Sequence, residues 1–181
     1  MNTNRLSLQL DFDKVDKDKP AIVDCANVYF ENHMVTREER ALAMHRDGLY
    51  RGCTLWFTGL SGAGKTTLSF KLEAALNRLG YSSYSLDGDN VRHGLCKNLG
   101  FKKDDRTENI RRVAEVCKLF ADMGAISLAS FISPFRKDRE EARKIHEKEG
   151  IRFFEIYVNT QLMCVRPETL KITTKRQEQA S

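Results

Sequence analysis

The chain has 181 residues, 41% of them hydrophobic and 30% charged, which indicates one ordinary globular domain. The net charge of +5 comes without a dense basic stripe, and no apolar run approaches a membrane span, so we expect neither a nucleic-acid nor a membrane partner. The polar N-terminus lacks the apolar stretch of a signal peptide, and the five cysteines show no disulfide or metal spacing, so we expect a cytosolic or, alternatively, nuclear protein.

The N-terminal segment 1–26 is predicted to be a disordered polar tail, because aspartate and lysine alternate from Asp11 to Lys19 before Pro20. The domain itself is expected to occupy residues 27–160. Within its first part, Thr36 and Glu39 have the spacing of a helix capping box, and we place this helix outside the sheet.

Residues 59–67, GLSGAGKTT, match the phosphate-binding pattern G-x-x-x-x-G-K-[ST]. The apolar run 54–58 predicts a buried strand before this loop. A helical pattern follows it, ends at Gly80, and carries an apolar face made of Leu68, Leu72, Ala75, Leu76 and Leu79. In such a loop backbone N–H groups surround phosphate oxygens, Lys65 reaches the β- and γ-phosphates of ATP, and the Thr66 hydroxyl binds Mg²⁺. The nucleotide-binding residues predicted here are Gly59, Ser61, Gly62, Ala63, Gly64, Lys65, Thr66 and Thr67.

A second strand is predicted at residues 82–86, and it ends in the acidic run 87–90, DGDN. Acidic residues at the carboxyl end of a strand, near a phosphate loop, occupy the position where α/β sheets place their chemistry. Beyond a loop at 98–101, a long helix is predicted with Asp104 or Asp105 as its cap. Its apolar face is Ile110, Val113, Ala114, Cys117, Phe120 and Ala121, and Gly124 ends it.

The third strand is predicted at residues 125–132, and Pro134 then suits the first turn of another helix. That helix is expected to carry its charged residues 136–143 outside and to stop at Gly150, before a fourth strand at 151–158. Strand–helix alternation of this kind predicts an α/β fold, a parallel sheet with helices on both faces.

Five motifs now stand in order: the phosphate loop and the segments 87–92, 98–101, 105–112 and 131–135. Together they resemble adenylylsulfate (APS) kinase, a P-loop NTPase-type fold, over roughly residues 27–160. The start of that range and the flank 51–54 are similar to the kinase half of the animal-type bifunctional 3′-phosphoadenylylsulfate (PAPS) synthase.

The resemblance implies that ATP phosphorylates the ribose 3′-hydroxyl of adenylylsulfate to give PAPS. Lys65 and Asp89 would be catalytic, with Asp89 accepting the hydroxyl proton or orienting that hydroxyl. Thr66 and Asp87 would hold Mg²⁺, the cofactor that accompanies ATP. The implied substrate-binding residues are Asp89, Asn90, Val91, Arg92, Phe101, Arg106, Asn109, Ile132 and Ser133.

Each of these roles has a plainer alternative. Asp87 and Asp89 could be solvated turn carboxylates, and Asn109 could lie on a helix surface. Both arginines could form surface salt bridges, the commoner fate of such residues. Phe101 could stack on the acceptor adenine or pack in the core, and the sequence leaves these open. Ser133 matches a serine that is phosphorylated in some relatives, but an unmodified turn serine is the expectation here.

The likeness stops after Thr160, so the fold is expected to be C-terminally truncated, with 161–181 a non-family tail. The family continues here with a mobile lid that begins close to P-L-x-V-C-E-x-R-D-x-K-G. Pro167 would break any helix in the present tail. From Met163 onward a one-base frame shift can spell V-C-E-(T/A)-R-D-V-K, and further on Y-K-K-A-R-A-G, under tight codon constraints. We therefore hypothesise a frame slip near residues 162–163, marginal stability and low kinase activity.

Two other functions remain open. The chain could be another P-loop small-molecule kinase, although the run 87–90 with Arg92 and Phe101 favours adenylylsulfate as acceptor. It could instead be a non-catalytic, truncated partner of a full-length enzyme, or simply an incomplete product that aggregates. A homodimer is a further expectation from the resemblance.

Overall fold

The computed structural model describes residues 31–44 and 48–159. Contacts divide the chain into a unit that ends at Thr36 and a second unit that starts at Arg37. Residues 31–36 contain no helix or strand, and the fold described below belongs to the second unit. The tails predicted at 1–26 and 161–181 lie outside the described residues.

Four strands form one sheet: β1 (Cys53–Thr58), β2 (Ser83–Asp87), β3 (Ile126–Ser130) and β4 (Arg152–Tyr157). Their order is β2-β3-β1-β4, and every neighbouring pair is parallel. The four predicted strands and their parallel arrangement are therefore confirmed. Because all four strands run in one direction, the loops that follow them emerge at the same edge of the sheet.

The described helices are α1 (Arg37–Met44), α2 (Lys65–Arg78), α3 (Gly88–Arg92), α4 (Lys103–Asp122) and α5 (Arg136–Glu147). The short helix α3 was not predicted, because the run 87–90 has the composition of a turn. Across the part of the chain that the structure describes, no helix combines the length and the apolar character needed to cross a bilayer.

The two faces of the sheet pack against different helices. On one face, Trp56, Ala129 and Phe153 belong to a hydrophobic core that includes residues of α4 and α5. On the other face, the Ser130 hydroxyl bonds to that of Ser69 on α2, at 2.9 Å. Alternate residues along a strand point to opposite faces, so the sheet has helices on both sides, as predicted.

Two helix starts differ from the prediction. The N-cap residue of α4 is Lys102, in an extended conformation. Asp104 and Asp105 lie in the first turn, where carboxylates interact favourably with the positive end of the helix dipole. Phe135 caps α5, so Pro134 precedes that helix instead of lying in its first turn. The predicted outer surface of α5 is also wrong in one place, because Asp138 is buried.

Of the five residues predicted to form the buried apolar face of α2, two are half-buried and three are exposed. Leu68 is 44% exposed and Leu79 is 72% exposed, whereas Lys65 and Ser69 are buried. The small Ser69 lets the helix approach Ser130 closely, and this contact fixes which side of α2 faces the sheet. Helical periodicity predicted where α2 lies in the sequence, but its contact with the sheet determines which side of the helix is buried.

Helix α1 is attached to the carboxyl end of α4. Arg37 Nε donates to Asp122 Oδ1 at 2.6 Å, and Arg40 pairs with the other oxygen of the same carboxylate. The Tyr50 hydroxyl donates to the Ala121 carbonyl at 2.8 Å. A Cβ at Gly52 would lie 1.8 Å from that carbonyl, so no larger residue fits there. Helix α1 and Tyr50 are thus fixed at the edge of the domain away from the phosphate loop.

Candidate active site

The phosphate loop joins β1 to α2 and uses backbone conformations that favour glycine. Gly59, Gly62 and Gly64 have φ values of 147°, 77° and 87°. At Gly59 a side chain would also collide with Val158, whose carbonyl oxygen would be 2.5 Å from an added Cβ. These glycines let the loop turn so that backbone N–H groups at the start of α2 point to one place, as phosphate binding requires.

Lys65, the first residue of α2, is only 7% exposed. Its Nζ donates to the carbonyl oxygens of Gly59 at 2.9 Å and Leu60 at 2.6 Å. Burial lowers the pKa of Lys65, and the nearby Asp87 carboxylate opposes that change. An ammonium group has three donors, so one N–H beyond these two bonds can reach a phosphate oxygen.

The Thr66 hydroxyl donates to Asp87 Oδ1 at 2.6 Å, which joins the phosphate loop to the end of β2. The other oxygen of Asp87 accepts from the backbone N–H groups of Asp89, at 3.1 Å, and Asn90, at 3.5 Å. Asp87 is therefore the N-cap of α3. It is not merely a solvated turn carboxylate, because its two oxygens hold two elements together.

The predicted Mg²⁺ ligands fit that ion in their chemistry. Thr66 and Asp87 supply hard oxygen donors beside the phosphate loop, and Mg²⁺ in such sites takes one or two protein ligands with phosphates and water. Over the described ranges, no group of three or more His, Cys, Asp or Glu could hold a metal ion. The pair suits a metal carried in by a nucleotide, because such an ion takes its other ligands from phosphates and water.

The predicted acceptor-side residues on α3 differ in how far they are exposed. Asp89 and Asn90 are exposed on its first turn, at the edge where the phosphate loop lies. Val91 is 7% exposed and its side chain packs in the hydrophobic core. His93 Nδ1 is 2.9 Å from the Asp89 carbonyl oxygen, within the helix.

Arg92, Phe101 and Arg106 form one stacked group. The Arg92 guanidinium lies 4.5 Å from the centre of the Phe101 ring, and that of Arg106 lies 6.0 Å from it. Arg92 donates to the carbonyls of Leu99 and Gly100, and Arg106 donates to that of Phe101 at 2.8 Å. Phe101 is 62% exposed, so core packing is excluded. Among the described residues, the hydrogen bonds of both arginines go to backbone carbonyls, an arrangement different from the surface salt bridges of the plainer alternative.

Asn109, on α4, is buried at 3% exposure, which rules out the helix-surface alternative. Its Oδ1 is the buried side-chain oxygen without a hydrogen-bond partner among the described residues. An unpaired buried polar atom is costly, and one near a ligand site is a candidate for pairing with that ligand.

Ile132 and Ser133 follow β3 at the same edge of the sheet. Ile132 is 44% exposed, whereas Ser133 is 3% exposed and has a φ of 35°. The Ser133 hydroxyl accepts from Trp56 Nε1 at 3.2 Å and donates to Thr58 Oγ1 at 2.9 Å. This buried, bonded hydroxyl is closed to a modifying enzyme in the described conformation.

The structure thus gathers the loop, Asp87, α3 and the 131–135 segment at one edge of the sheet, as their positions after parallel strands predict. The supporting residues were not found from the sequence: Trp56 and Thr58 were assigned only to a buried strand. Alternation along β1 places both of them on the α4–α5 face, but the bonds to Ser133 depend on the loop that follows β3.

The sequence model described as Adenylylsulphate kinase matches residues 51–176. The chain belongs to the adenylylsulfate kinase family. The matched range starts later than the segment that carries the resemblance and continues past residue 160.

Individual members of this family are similar over the same region. Adenylyl-sulfate kinase of Marinobacter nauticus is 50% identical over 137 residues, which cover 76% of this chain and 66% of that protein. The enzyme of the same name from Erwinia tasmaniensis is 56% identical over 136 residues, covering 75% of this chain and 65% of the relative. The alignments therefore span just under two thirds of the length of these relatives.

Among solved structures, the Mycobacterium tuberculosis APS kinase CysC in complex with AMPPNP and APS is 44% identical to this adenylylsulfate kinase family member. The superposition has a TM-score of 0.65 and covers 72% of this chain and 77% of that one. The α/β architecture with its phosphate loop is therefore that of the family.

Proposed function

We propose that this chain is an adenylylsulfate kinase, which transfers the γ-phosphoryl group of ATP to the 3′-hydroxyl of adenylylsulfate and releases ADP and PAPS. The observation that carries the proposal is the double role of Asp87. Its carboxylate contacts Thr66 of the phosphate loop and caps α3, the helix that carries Asp89 and Arg92. A donor site and an acceptor site are thereby held next to each other.

On the donor side, the loop N–H groups and the helix N-terminus bind the phosphates, and Lys65 donates to the β- and γ-phosphates. Thr66 and Asp87 would hold Mg²⁺, which neutralises charge on the phosphate oxygens when it is bound. Lys65 is buried, so its charge acts with little screening by water.

On the acceptor side, Asp89 accepts the proton of the ribose 3′-hydroxyl or orients that hydroxyl. The bond from O3′ to the γ-phosphorus forms as the bond from that phosphorus to the bridging oxygen of ADP breaks. Most of the rate enhancement in such transfers comes from positioning and charge stabilisation, so the rigid link through Asp87 matters for the geometry of Asp89.

The acceptor itself is recognised by the stacked group of Arg92, Phe101 and Arg106. The exposed Phe101 ring offers a face on which adenine can stack. The two guanidinium groups add positive charge that suits a phosphosulfate anion. Asn109 and the exposed Ile132 complete the proposed acceptor site, and the similar Mycobacterium tuberculosis enzyme in complex with AMPPNP and APS supports this pairing of ligands.

Phosphoryl transfer from ATP to adenylylsulfate by the purified chain tests the proposal, with a panel of other small-molecule acceptors alongside. Asp89→Asn should abolish any turnover, while the matched change Asp104→Asn, on the exposed first turn of α4, should leave it unchanged. Lys65→Ala should remove ATP binding in calorimetry. Turnover of a different acceptor in preference to adenylylsulfate would replace this proposal with another P-loop small-molecule kinase.

We infer that the chain as written has low turnover, because a frame slip near residues 162–163 has replaced the lid of an animal-type PAPS synthase kinase domain. A lid that closes over ATP excludes water and completes such sites. Sequencing the transcript across these codons tests the slip, and an in-frame message without it would contradict it. Restoring the shifted frame should raise kcat by about 100-fold or more, the scale on which misplaced catalytic groups reduce rates.

A second candidate is a non-catalytic partner of a full-length enzyme. It is favoured by β4, the last strand of the sheet within residues 31–44 and 48–159, whose Phe154 and Tyr157 are 48% and 65% exposed. Exposed apolar edge strands tend to pair with other chains. Light scattering of the chain alone, and mixed with a full-length kinase, separates a homodimer, a mixed assembly and aggregation. Absence of any mixed species would contradict the partner hypothesis.

A further inference from the structure

Ser133 adopts a backbone conformation that its side chain disfavours. It is the one non-glycine residue with positive φ in the described ranges 31–44 and 48–159. Such a conformation persists only where the surroundings enforce it. The segment 131–135 also lies beside the phosphate loop, since the Phe131 N–H donates to the Phe57 carbonyl at the end of β1, at 3.1 Å. The shape of this segment therefore depends on identifiable contacts next to the proposed active site.

One set of contacts comes from β1. The Trp56 N–H donates to the Ser133 hydroxyl, which donates to Thr58 Oγ1, and the Thr58 hydroxyl donates to the Ile132 carbonyl at 2.9 Å. Each hydroxyl uses its single proton once, so the three bonds form one consistent chain. They fix the Ser133 side chain and the Ile132 carbonyl, whereas the Thr58 hydroxyl reaches the Ser133 carbonyl only at the longer distance of 3.5 Å.

The shorter contact with the Ser133 carbonyl comes from α5. Arg139 Nη1 donates to the Ser133 carbonyl at 2.8 Å, and its Nε donates to Glu155 Oε1 on β4 at 2.6 Å. The Arg139 and Glu155 side chains are only 19% and 29% exposed, so this pair is better shielded from solvent than an ordinary surface salt bridge. Glu155 holds the guanidinium in place, and the guanidinium holds the peptide that follows Ser133.

We propose that Arg139 is a positioning residue. Anchored by Glu155, it holds the strained Ser133 backbone in the shape that binds adenylylsulfate. This inference rests on the proposed function for the identity of the ligand and for the place of the 131–135 segment in the acceptor site. Arg139 is expected to act through the 131–135 segment and not by contact with ATP. Its loss should therefore weaken acceptor binding selectively.

Arg143 provides a matched control. It lies one turn further along α5, approaches Glu155 Oε2 at 3.7 Å and donates to the Phe153 carbonyl at 3.1 Å. None of its hydrogen bonds among the described residues goes to Ser133, and its guanidinium lies 5.0 Å from the centre of the Phe153 ring, a surface that a methionine side chain can still cover. Arg139→Met and Arg143→Met each remove one positive charge from α5 and one partner from the Glu155 carboxylate. Only Arg139→Met also removes the bond to Ser133.

The experiment measures three quantities for the unmodified chain, both variants and Glu155→Gln. These are the Kd values for adenylylsulfate and for ATP by calorimetry, and the fluorescence emission of Trp56, the single tryptophan of the chain. Trp56 bonds directly to Ser133, so its emission reports the segment without any need for turnover. Arg139→Met should raise the Kd for adenylylsulfate about tenfold, as expected for one charge-assisted hydrogen bond, and should shift the Trp56 emission.

The same variant should leave the Kd for ATP within about twofold of the unmodified chain, an insignificant change on this scale. Arg143→Met should change neither Kd nor the emission, and Glu155→Gln should fall between the two. Equal weakening of both ligands by Arg139→Met, or the same effects from Arg143→Met, would overturn the inference. If the unmodified chain binds no adenylylsulfate, the proposed function fails. The Trp56 emission of the two arginine variants then decides the positioning role alone.

Discussion

Thr66 Oγ1 and Asp87 Oδ1 lie 2.6 Å apart, although 20 residues, which include most of α2, separate them along the chain. The contact exists because β1 and β2 both end at the same edge of the parallel sheet, with β3 between them. One carboxylate therefore accepts a hydrogen bond from the phosphate loop and also caps α3. Changes at Asp87 should therefore affect both ligand binding and stability, and two variants can separate these effects.

Asp87→Ala should lower the free energy of unfolding by about 1 kcal/mol, because it removes the N-cap of α3. Asp87→Asn keeps an acceptor oxygen for the backbone N–H groups and should preserve most of that stability. Both variants should lose the Mg²⁺-dependent part of ATP binding. Urea unfolding and calorimetry with ATP, with and without Mg²⁺, measure these effects. Normal binding of Mg²⁺–ATP by Asp87→Asn would contradict the role of the carboxylate.

Phe101→Ala should weaken adenylylsulfate binding by about tenfold, the scale of one base stacked on an aromatic ring. The ring is 62% exposed, so the melting temperature should change little. Phe154→Ala is the control, because that ring is also largely exposed but lies on β4. Calorimetry with adenylylsulfate and thermal unfolding give the two readouts. A large loss of stability without loss of binding would show that Phe101 acts in packing.

Asn109→Leu should separate stability from function. The change replaces a buried oxygen that lacks a partner with an apolar side chain of similar size, so the free energy of unfolding should stay constant or rise by about 1 kcal/mol. Binding of adenylylsulfate should weaken by about tenfold if the oxygen or its amide pairs with the acceptor. Urea unfolding and calorimetry again provide the measurements. Unchanged binding would assign Asn109 to the core alone.

His146 belongs to a buried polar chain beneath the sheet. Its Nδ1 donates to the Ala142 carbonyl at 2.7 Å, so its Nε2 accepts from the Thr54 hydroxyl at 2.9 Å. Thr54 in turn lies 2.7 Å from the Ser127 hydroxyl. The ring also packs against Phe153 and is completely buried, and it has the donor pattern of a neutral imidazole.

Burial lowers the pKa of His146 below its ordinary value of 6.5, Lys118 lowers it further, and the Ala142 bond and Glu115 oppose the change. The unfolded chain then binds more protons than the folded chain, so stability is complete above about pH 6.5 and falls as the pH drops through and below that value. Urea unfolding from pH 8 to 5 should show this decline. His146→Gln should flatten it, whereas His93→Gln, at an exposed histidine, should not. Equal slopes in all three proteins would contradict the assignment.

Much of the site followed from local rules of sequence. Gly59, Gly62 and Gly64, with Lys65 and Thr66 at fixed spacing after them, match the phosphate-loop pattern, and the three glycines adopt the positive φ values that such a tight loop uses. Asp87 and Asp89 were proposed because acidic residues follow a strand next to that loop. The helix α3 was missed, since its glycine and aspartates favour a turn until Asp87 caps them. The burial of Asn109 was missed because a polar residue predicts an exposed position.

The sequence by itself determined the order of strands and helices, the phosphate loop and the family, since these depend on spacing between residues close along the chain. Tertiary structure decided which face of α2 is buried, the stacking of Arg92 and Arg106 on Phe101, and the bond from Arg139 to Ser133. Those features join elements that are distant in sequence. Their geometry depends on how the parallel sheet brings together the segments that follow its strands, and the periodicity of residues along the chain carries no information about that arrangement.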